Sequence, residues 1–258
     1  VSGPPGGKGP IIYLVDRPGS AQSILRAGHI SIPREHQDYH SLAFVNYILG
    51  GDYSSRLNMN LRQDKGYSYG YYSAIEWSQI TSALIAGGSV ETKVTKESII
   101  ETLKEFKEIS SEMPITQSEL NLAKQGILKG YASQFETQDQ YIDNLAQIAL
   151  YDLPLDYYKN YVKNINNISL EQIRETATSR IKLDGLSITV VGDKKLLLDK
   201  ILSLKPGYRK YSNQKIGEFN YFKLRKIVKE FSKLKEYKMN EEIKIKQIGK
   251  RVFCLNKI

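Results

Sequence analysis

The segment from Gly50 to Gly70 constrains the fold of this chain more than any other stretch. It reads Gly-Gly-Asp-Tyr-Ser-Ser-Arg-Leu-Asn-Met-Asn-Leu-Arg-Gln-Asp-Lys-Gly-Tyr-Ser-Tyr-Gly. Ser54 and Ser55 are residue types that begin helices, and Gly66 is the type that most often ends one. The segment therefore predicts a short helix held between two glycine-containing turns.

An aromatic strand is predicted directly after this helix. Residues 67–73 read Tyr-Ser-Tyr-Gly-Tyr-Tyr-Ser, an alternating pattern that is typical of a strand. The order places Arg62 at the end of the helix and Tyr69 near the start of the strand, close enough to converge on one ligand group. A guanidinium and a phenol are both hydrogen-bond donors. Together they suit a carbonyl oxygen that is gaining negative charge.

The rest of the chain changes from a period of two residues to a period of 3.6. Strands are predicted over 11–15, 23–32, 67–77, 80–90 and 186–191, with helices over 38–49 and in a run after Thr95. Three capping boxes support that helical run: Thr116 with Glu119, Thr137 with Gln140, and Ser169 with Gln172. Strands, then helices, then a returning strand indicate an α+β fold, a mostly antiparallel sheet with helices packed on one face.

Two further details of this pattern can be tested against the structure. Asp38 is expected to cap the helix over 38–49, because it immediately precedes the apolar-periodic residues. The second capping box introduces Tyr141, Leu145 and Ile148 at helical spacing, and the helix that it starts is expected to end near Pro154.

Composition divides the chain into three parts. Residues 1–9 are a Gly/Pro-rich linker, residues 10–204 form the predicted domain, and residues 205–258 form a basic extension of unknown role. The extension carries 16 Lys and Arg against five Glu, so the net charge of +9 arises there, while residues 1–204 are nearly neutral. The chain begins with Val and a linker. We therefore expect it to be a fragment, or the second half, of a longer polypeptide, and its cellular compartment stays open.

The composition also excludes several classes of protein. No apolar run approaches the roughly 20 residues that span a bilayer. The single cysteine, Cys254, forbids an internal disulfide and a Cys-rich zinc site. The glycines match no phosphate-binding loop, so turns and caps account for them. The histidines are His29, His36 and His40. We expect His36 and His40 to be surface polar residues near the start of a helix, and metal binding by these two is the weaker alternative.

The residues Leu-Gly-Gly, Ser-Arg-Leu, Leu-Arg, Lys-Gly and Tyr-Gly occur in fixed order between positions 49 and 70. With the order of elements, this pattern resembles the second, non-zinc half of the pitrilysin/insulinase family of inverted zinc metallopeptidases, which includes the mitochondrial processing peptidases. The resemblance covers roughly residues 10–204. In such enzymes two similar halves enclose a chamber, and one half holds zinc through H-x-x-E-H and a distal Glu.

This resemblance implies roles for both the chain and a partner. Arg62 and Tyr69 would bind peptide substrate and stabilise the oxyanion over a metal that belongs to the other half. The chain has no H-x-x-E-H, so it binds no zinc by this reading and is expected to be inactive alone. Hydrolysis would need a zinc-bearing homologous half, either in the same polypeptide or as a separate subunit.

Other functions remain open at this point. The same fold could serve as a structural or chaperone-like subunit that has lost the chemistry. Residues 224–234 of the basic extension are predicted to form an amphipathic helix, which could bind nucleic acid or an anionic membrane. No nucleic-acid fold signature accompanies the extension, so this partner is the weaker expectation. Taken separately, Arg62 could be a surface ion-pair residue or a charge at the C-terminal end of the helix, and Tyr69 could be a cross-strand aromatic.

Overall fold

The computed structural model describes residues 9–204 and 213–215, which contain a six-stranded sheet. The strands are β1 (Ile11–Asp16), β2 (Gln22–Ser31), β3 (Ser68–Glu76), β4 (Ser82–Glu91), β5 (Ser187–Gly192) and β6 (Asn213–Lys215). Their order across the sheet is β3-β4-β2-β5-β1-β6. The pairs β3–β4, β4–β2 and β2–β5 are antiparallel, while β5–β1 and β1–β6 are parallel. The predicted α+β fold with a mostly antiparallel sheet is confirmed.

Eight α-helices lie in the described part of the chain. They are α1 (Tyr39–Asn46), α2 (Arg56–Asn58), α3 (Thr95–Lys107), α4 (Gln117–Ala132), α5 (Gln138–Leu150), α6 (Tyr157–Asn167), α7 (Leu170–Arg180) and α8 (Lys194–Leu202). Three of them continue as wider π-helical turns over Tyr47–Gly51, Met59–Asp64 and Glu108–Glu112, after α1, α2 and α3 respectively. The second of these turns carries Arg62.

One face of the sheet forms the core of the domain. Side chains alternate between buried and partly exposed along β4 and β5, as expected for strands with a single covered face. The covered face packs against the helical layer to which α1, α3 and α7 contribute Phe44, Phe106 and Ile173, each with no exposed surface. A single contiguous core therefore holds β3 and the segment before it.

The capping predictions have mixed outcomes. All three capping boxes form, with Thr116, Thr137 and Ser169 each accepting a hydrogen bond from the third residue of its helix. The side chain of Asp38 makes no cap to α1, so that prediction was wrong. The Asp38 carboxylate instead accepts hydrogen bonds from Arg180, 2.6 Å away at the nearer nitrogen, and so joins α1 to α7.

The helix predicted after the second capping box forms as α5, but its apolar side is largely exposed. Tyr141 and Leu145 are more than half exposed, and no side chain of α5 is fully buried. Helical spacing reports that a helix has an apolar side, but it does not report whether another element covers that side.

Several predictions fall outside the described residues. Residues 1–8 and most of 205–258 belong to this group, including the amphipathic helix predicted over 224–234. The division into a linker, a domain over 10–204 and a basic extension therefore stays a prediction. Within the described residues, no helix combines the length and the apolar character that a membrane crossing requires.

Candidate functional site

The chain reverses direction sharply between Arg62 and Tyr69. The amide of Lys65 donates to Asn60 O at 3.0 Å, and the amide of Tyr67 donates to Leu61 O at 2.8 Å. Gly66 takes a positive φ of 64°, a backbone conformation that suits glycine because a Cβ would be strained there. The helix thus ends where the sequence predicted, and β3 runs back alongside it.

The Arg62 guanidinium lies between two tyrosine rings. Its Cζ is 4.7 Å from the centre of the Tyr53 ring and 4.9 Å from the centre of the Tyr69 ring. Arg62 is partly buried, whereas Tyr69 is 90% exposed. The structure therefore brings the two predicted site residues together, and it adds Tyr53, which the sequence reasoning missed.

The contacts of Arg62 differ from those of an ordinary surface arginine. In the described part of the chain, no carboxylate lies within 4.0 Å of its guanidinium, so the ion-pair explanation fails there. The two tyrosine rings contact the guanidinium through their faces, and its N–H groups donate to no other residue that the structure describes. This arrangement leaves the donors able to bind a planar acceptor such as a carbonyl or a carboxylate.

A β-bulge sets the direction of Tyr69. Ser68 pairs with Val90 and Tyr71 pairs with Gly88, so Tyr69 and Gly70 are both fitted opposite Ser89 alone. The Ser68 hydroxyl stabilises the bulge by accepting from the Gly70 amide at 3.1 Å, and it lies 2.8 Å from Ser89 O, to which it can donate. A bulge re-aims the side chains it contains, which explains why Tyr69 projects from the sheet beside Arg62.

Gly88 is needed on the neighbouring strand, β4, because the backbone at Gly70 comes close to it. A Cβ at Gly88 would lie 2.5 Å from Gly70 O, a distance that real side chains do not reach. The bulge and the glycine opposite it therefore form one unit, which the sequence reasoning did not connect.

Asn58 is a second residue that the sequence reasoning missed. Its side chain has no exposed surface, and its amide group donates to Tyr53 O at 2.7 Å and accepts from the Tyr71 amide at 3.2 Å. The sequence feature that could have identified Asn58 is an amide side chain next to the apolar Leu57 on a short helix. A buried amide of this kind usually forms hydrogen bonds with backbone groups that have no other partner.

A different polar network occupies a neighbouring part of the same segment. The Asn60 side-chain amide donates to Glu105 at 2.6 Å and to Glu101 at 3.0 Å. Burial raises the pKa of Glu105, and the hydrogen bond from Asn60 offsets this only in part. The carboxylate is consequently held in a setting that disfavours its charge.

Arg56 and Glu119 form a two-pronged ion pair nearby, with nitrogen–oxygen distances of 2.7 and 3.0 Å. Burial acts to raise the pKa of Glu119, but hydrogen bonds from Arg56 and Thr116 outweigh it and leave that pKa lowered. Both networks line an open groove of about 760 Å³ to which neither Arg62 nor Tyr69 contributes. They join α2 to α4 and the π-helical turn after α2 to α3, and so support the segment without including Arg62 or Tyr69.

The histidines do not come together. The Nδ1 of His36 accepts from the Asp38 amide at 3.0 Å, whereas His40 stacks on Tyr157 with 5.9 Å between ring centres. His29 lies on β2 and accepts from the Lys182 amide. Among the residues that the structure describes, no group of three or more His, Cys, Asp or Glu side chains is arranged to hold a metal ion. These residues do not fit the zinc site of an inverted zinc peptidase.

Comparisons with known proteins agree with the fold. Residues 2–127 match the family described as the peptidase M16 inactive domain. The chain is 26% identical over 160 residues to the non-peptidase homolog YmxG of Helicobacter pylori, covering 62% of this chain and 37% of the relative. It is 25% identical over 170 residues to a protein of Bacillus subtilis called uncharacterized zinc protease YmxG, covering 64% of this chain and 40% of that protein.

A solved structure shows the same fold. The crystal structure of the peptidase M16 inactive domain from Pseudomonas fluorescens superposes with a TM-score of 0.67 at 24% identity. The match covers 75% of this chain and 46% of that one. The chain thus spans less than half the length of the curated relatives it matches.

Proposed function

We propose, from the match of residues 2–127 to the peptidase M16 inactive domain family, that this chain completes the substrate chamber of a zinc peptidase. In this proposal a homologous zinc-bearing half supplies the metal and the proton-transfer chemistry, and this chain supplies Arg62 and Tyr69. The observation that carries the proposal is the convergence of those two side chains, with the Arg62 Cζ 4.9 Å from the Tyr69 ring centre.

The role of each side chain follows from its chemistry. A peptide carbonyl oxygen gains negative charge when the bond is attacked, and donors already aimed at that oxygen stabilise the charge. Arg62 would donate N–H groups from the plane of its guanidinium, and Tyr69 would donate its phenol O–H. Tyr53 and Tyr69 restrict the orientation of the guanidinium, so less rotamer freedom is lost when substrate binds.

The zinc of the partner half would act as the Lewis acid of peptide hydrolysis when that half is assembled with this chain. The sequence contains no H-x-x-E-H, and the residues that the structure describes do not fit a zinc site. The chain alone is therefore expected to lack peptidase activity.

The test is reconstitution. The full chain is mixed with a candidate zinc-bearing half, and cleavage of a quenched fluorescent peptide library is measured with and without a chelator. We expect cleavage by the mixture only, with full loss on chelation and recovery on adding zinc. Cleavage by the zinc-bearing half alone, undiminished when this chain is left out, would contradict the proposal.

A second candidate is a structural subunit without chemistry. The curated name of the Helicobacter pylori relative, a non-peptidase homolog, favours this alternative. The same experiment separates the two functions. A stable complex with a zinc-bearing half that cleaves no peptide would support the structural role.

A further inference from the structure

Asn58 contacts both backbone segments that carry the tyrosine rings around Arg62. One segment presents Tyr53, whose carbonyl oxygen accepts from the Asn58 amide at 2.7 Å. The other is β3, where the Tyr71 amide, two residues after Tyr69, donates to Asn58 at 3.2 Å. A single buried side chain therefore ties together the two sides of the arginine site.

The Tyr71 amide has a particular need for this partner. It lies immediately after the bulge at Tyr69 and Gly70, where the regular ladder with β4 is interrupted. A buried backbone N–H without a hydrogen-bond partner destabilises the folded state. Asn58 satisfies this amide, and the phenol of Tyr71 is fixed separately by a hydrogen bond to Thr102 at 2.8 Å.

We propose that Asn58 is a positioning residue, which sets the orientation of the Arg62 guanidinium by holding Tyr53 and β3 on either side of it. This inference rests on the proposed function, because the orientation matters only if Arg62 acts on substrate. Asn58 has no exposed surface, so its effect must pass through the residues it holds.

Asn60 provides a matched control within the same helical segment. It is the same residue type two positions further on, it is also buried, and its amide also makes two hydrogen bonds. Its partners, however, are Glu101 and Glu105 of α3 rather than the backbone around Arg62. Substitution of either asparagine should lower stability, but only Asn58 should affect the arginine site.

The first measurement follows the guanidinium directly. In a ¹H–¹⁵N spectrum of the full chain, the Nε–H signal of Arg62 is identified by its loss in Arg62→Lys. Aromatic rings shield protons that lie over their faces. We therefore expect the Nε–H proton of Arg62 to resonate upfield of the Nε–H protons of the other arginines. Asn58→Asp removes the donor to Tyr53 O and should shift the signal downfield, whereas Asn60→Asp should leave it in place.

The second measurement is kinetic and uses the assembled enzyme. Asn58→Asp should lower kcat by up to about 100-fold, the cost of displacing a catalytic group by roughly 1 Å. Asn60→Asp should leave kcat within about twofold of the parent. In an Arg62→Ala background, Asn58→Asp should lower kcat no further, because the residue through which it acts is gone.

A second variant covers the case in which Asn58→Asp does not fold. Tyr53 is 52% exposed, so Tyr53→Leu should fold normally while removing one wall of the site. We expect the same downfield shift and a lower kcat, with Tyr53→Phe close to the parent because the ring is retained.

Three results would overturn the inference. The first is an unchanged Arg62 Nε–H signal in a folded Asn58→Asp or Tyr53→Leu chain. The second is a kcat loss in Asn60→Asp equal to that in Asn58→Asp. The third is a further loss of kcat when Asn58→Asp is added to Arg62→Ala. Undiminished cleavage by Arg62→Ala would instead overturn the proposed function and the catalytic role of Asn58 with it. The two failures are distinguishable because undiminished cleavage by Arg62→Ala is expected only when the proposed function fails.

Discussion

Two arginines of this domain stack on tyrosine rings, and they do so in opposite settings. Arg62 is partly buried at the surface between Tyr53 and Tyr69. Arg34 is only 6% exposed, and its Cζ lies 3.4 Å from the centre of the Tyr39 ring. The two sites use the same pair of residue types but differ in access to a ligand.

The contacts of Arg34 account for its burial. Its Nη2 donates to the Tyr157 hydroxyl at 2.8 Å, and the rings of Tyr157 and Tyr151 lie 5.2 and 5.7 Å from its Cζ. Burial raises the pKa of the Tyr157 phenol, so this acceptor stays neutral. Within the described residues, no carboxylate lies within 4.0 Å of Arg34, and aromatic faces are what it packs against.

The comparison separates an enclosed from an open setting of one interaction. At Arg34 the rings enclose the charge and join the segment before α1 to α6. At Arg62 the rings cover the guanidinium while Tyr69 itself remains 90% exposed. Stability should therefore depend on the first arginine and turnover on the second.

The largest effect is expected at Arg34. Arg34→Ala leaves a cavity among aromatic rings and removes a hydrogen bond, so the free energy of unfolding should fall by about 2–5 kcal/mol. Urea unfolding measures this, with Arg62→Ala as the matched control, expected to lose less than about 1 kcal/mol. Equal losses in the two variants would remove the distinction between the sites.

The next effect concerns turnover at Arg62. In the assembled enzyme, Arg62→Ala should lower kcat by about 10²–10³-fold, the usual result of removing an oxyanion donor. Lys65→Ala is the control, since Lys65 is an exposed cation three residues away that pairs loosely with Glu101 at 3.8 Å. Comparable losses in both variants would indicate a general effect of charge rather than a specific contact.

Tyr69 should show a smaller loss. Tyr69→Phe keeps the ring that stacks on Arg62 and removes only the O–H donor, so kcat should fall by about 10- to 100-fold, the value of one hydrogen bond to a charged group. Steady-state kinetics with Tyr72→Phe as the control measures this, because Tyr72 is an exposed tyrosine of the same strand. A normal rate in Tyr69→Phe would restrict the role of Tyr69 to holding Arg62.

The last effect is absent at neutral pH, appears only in acid and belongs to the Arg34 site. Burial, and then the charge of Arg34, lower the pKa of His40 from 6.5 to about 4. A lowered pKa means that the folded state resists protonation, so the stability from neutral His40 is complete above pH 6.5 and is lost as pH falls toward about 4.

His40→Gln tests this dependence. The variant should lose less unfolding free energy than the parent between pH 6.5 and 4, as measured by urea unfolding across that range. Part of the slope should remain, because burial also lowers the pKa of His29. An identical slope in parent and variant would show that His40 does not report on the Arg34 site.

Much of the site could be predicted because its signals are local. Gly66 ends the helix because glycine readily adopts the positive φ that the turn requires, and a strand rich in tyrosine follows at once. The approach of Arg62 to Tyr69 therefore depends on eight consecutive residues. The roles of Asn58 and Tyr53 could not be predicted in the same way. They depend on which backbone groups lie next to the side chain after folding, and spacing does not encode that.

The sequence by itself determined the α+β order of elements, the three capping boxes and the reversal at Gly66, because each depends on residues at most a few positions apart. Only the tertiary structure decided that Asp38 pairs with Arg180 rather than capping its helix, and that the apolar side of α5 stays exposed. It also decided which arginine is enclosed and which is open. Partners distant in the chain compete for the same polar groups and surfaces, and packing selects among them.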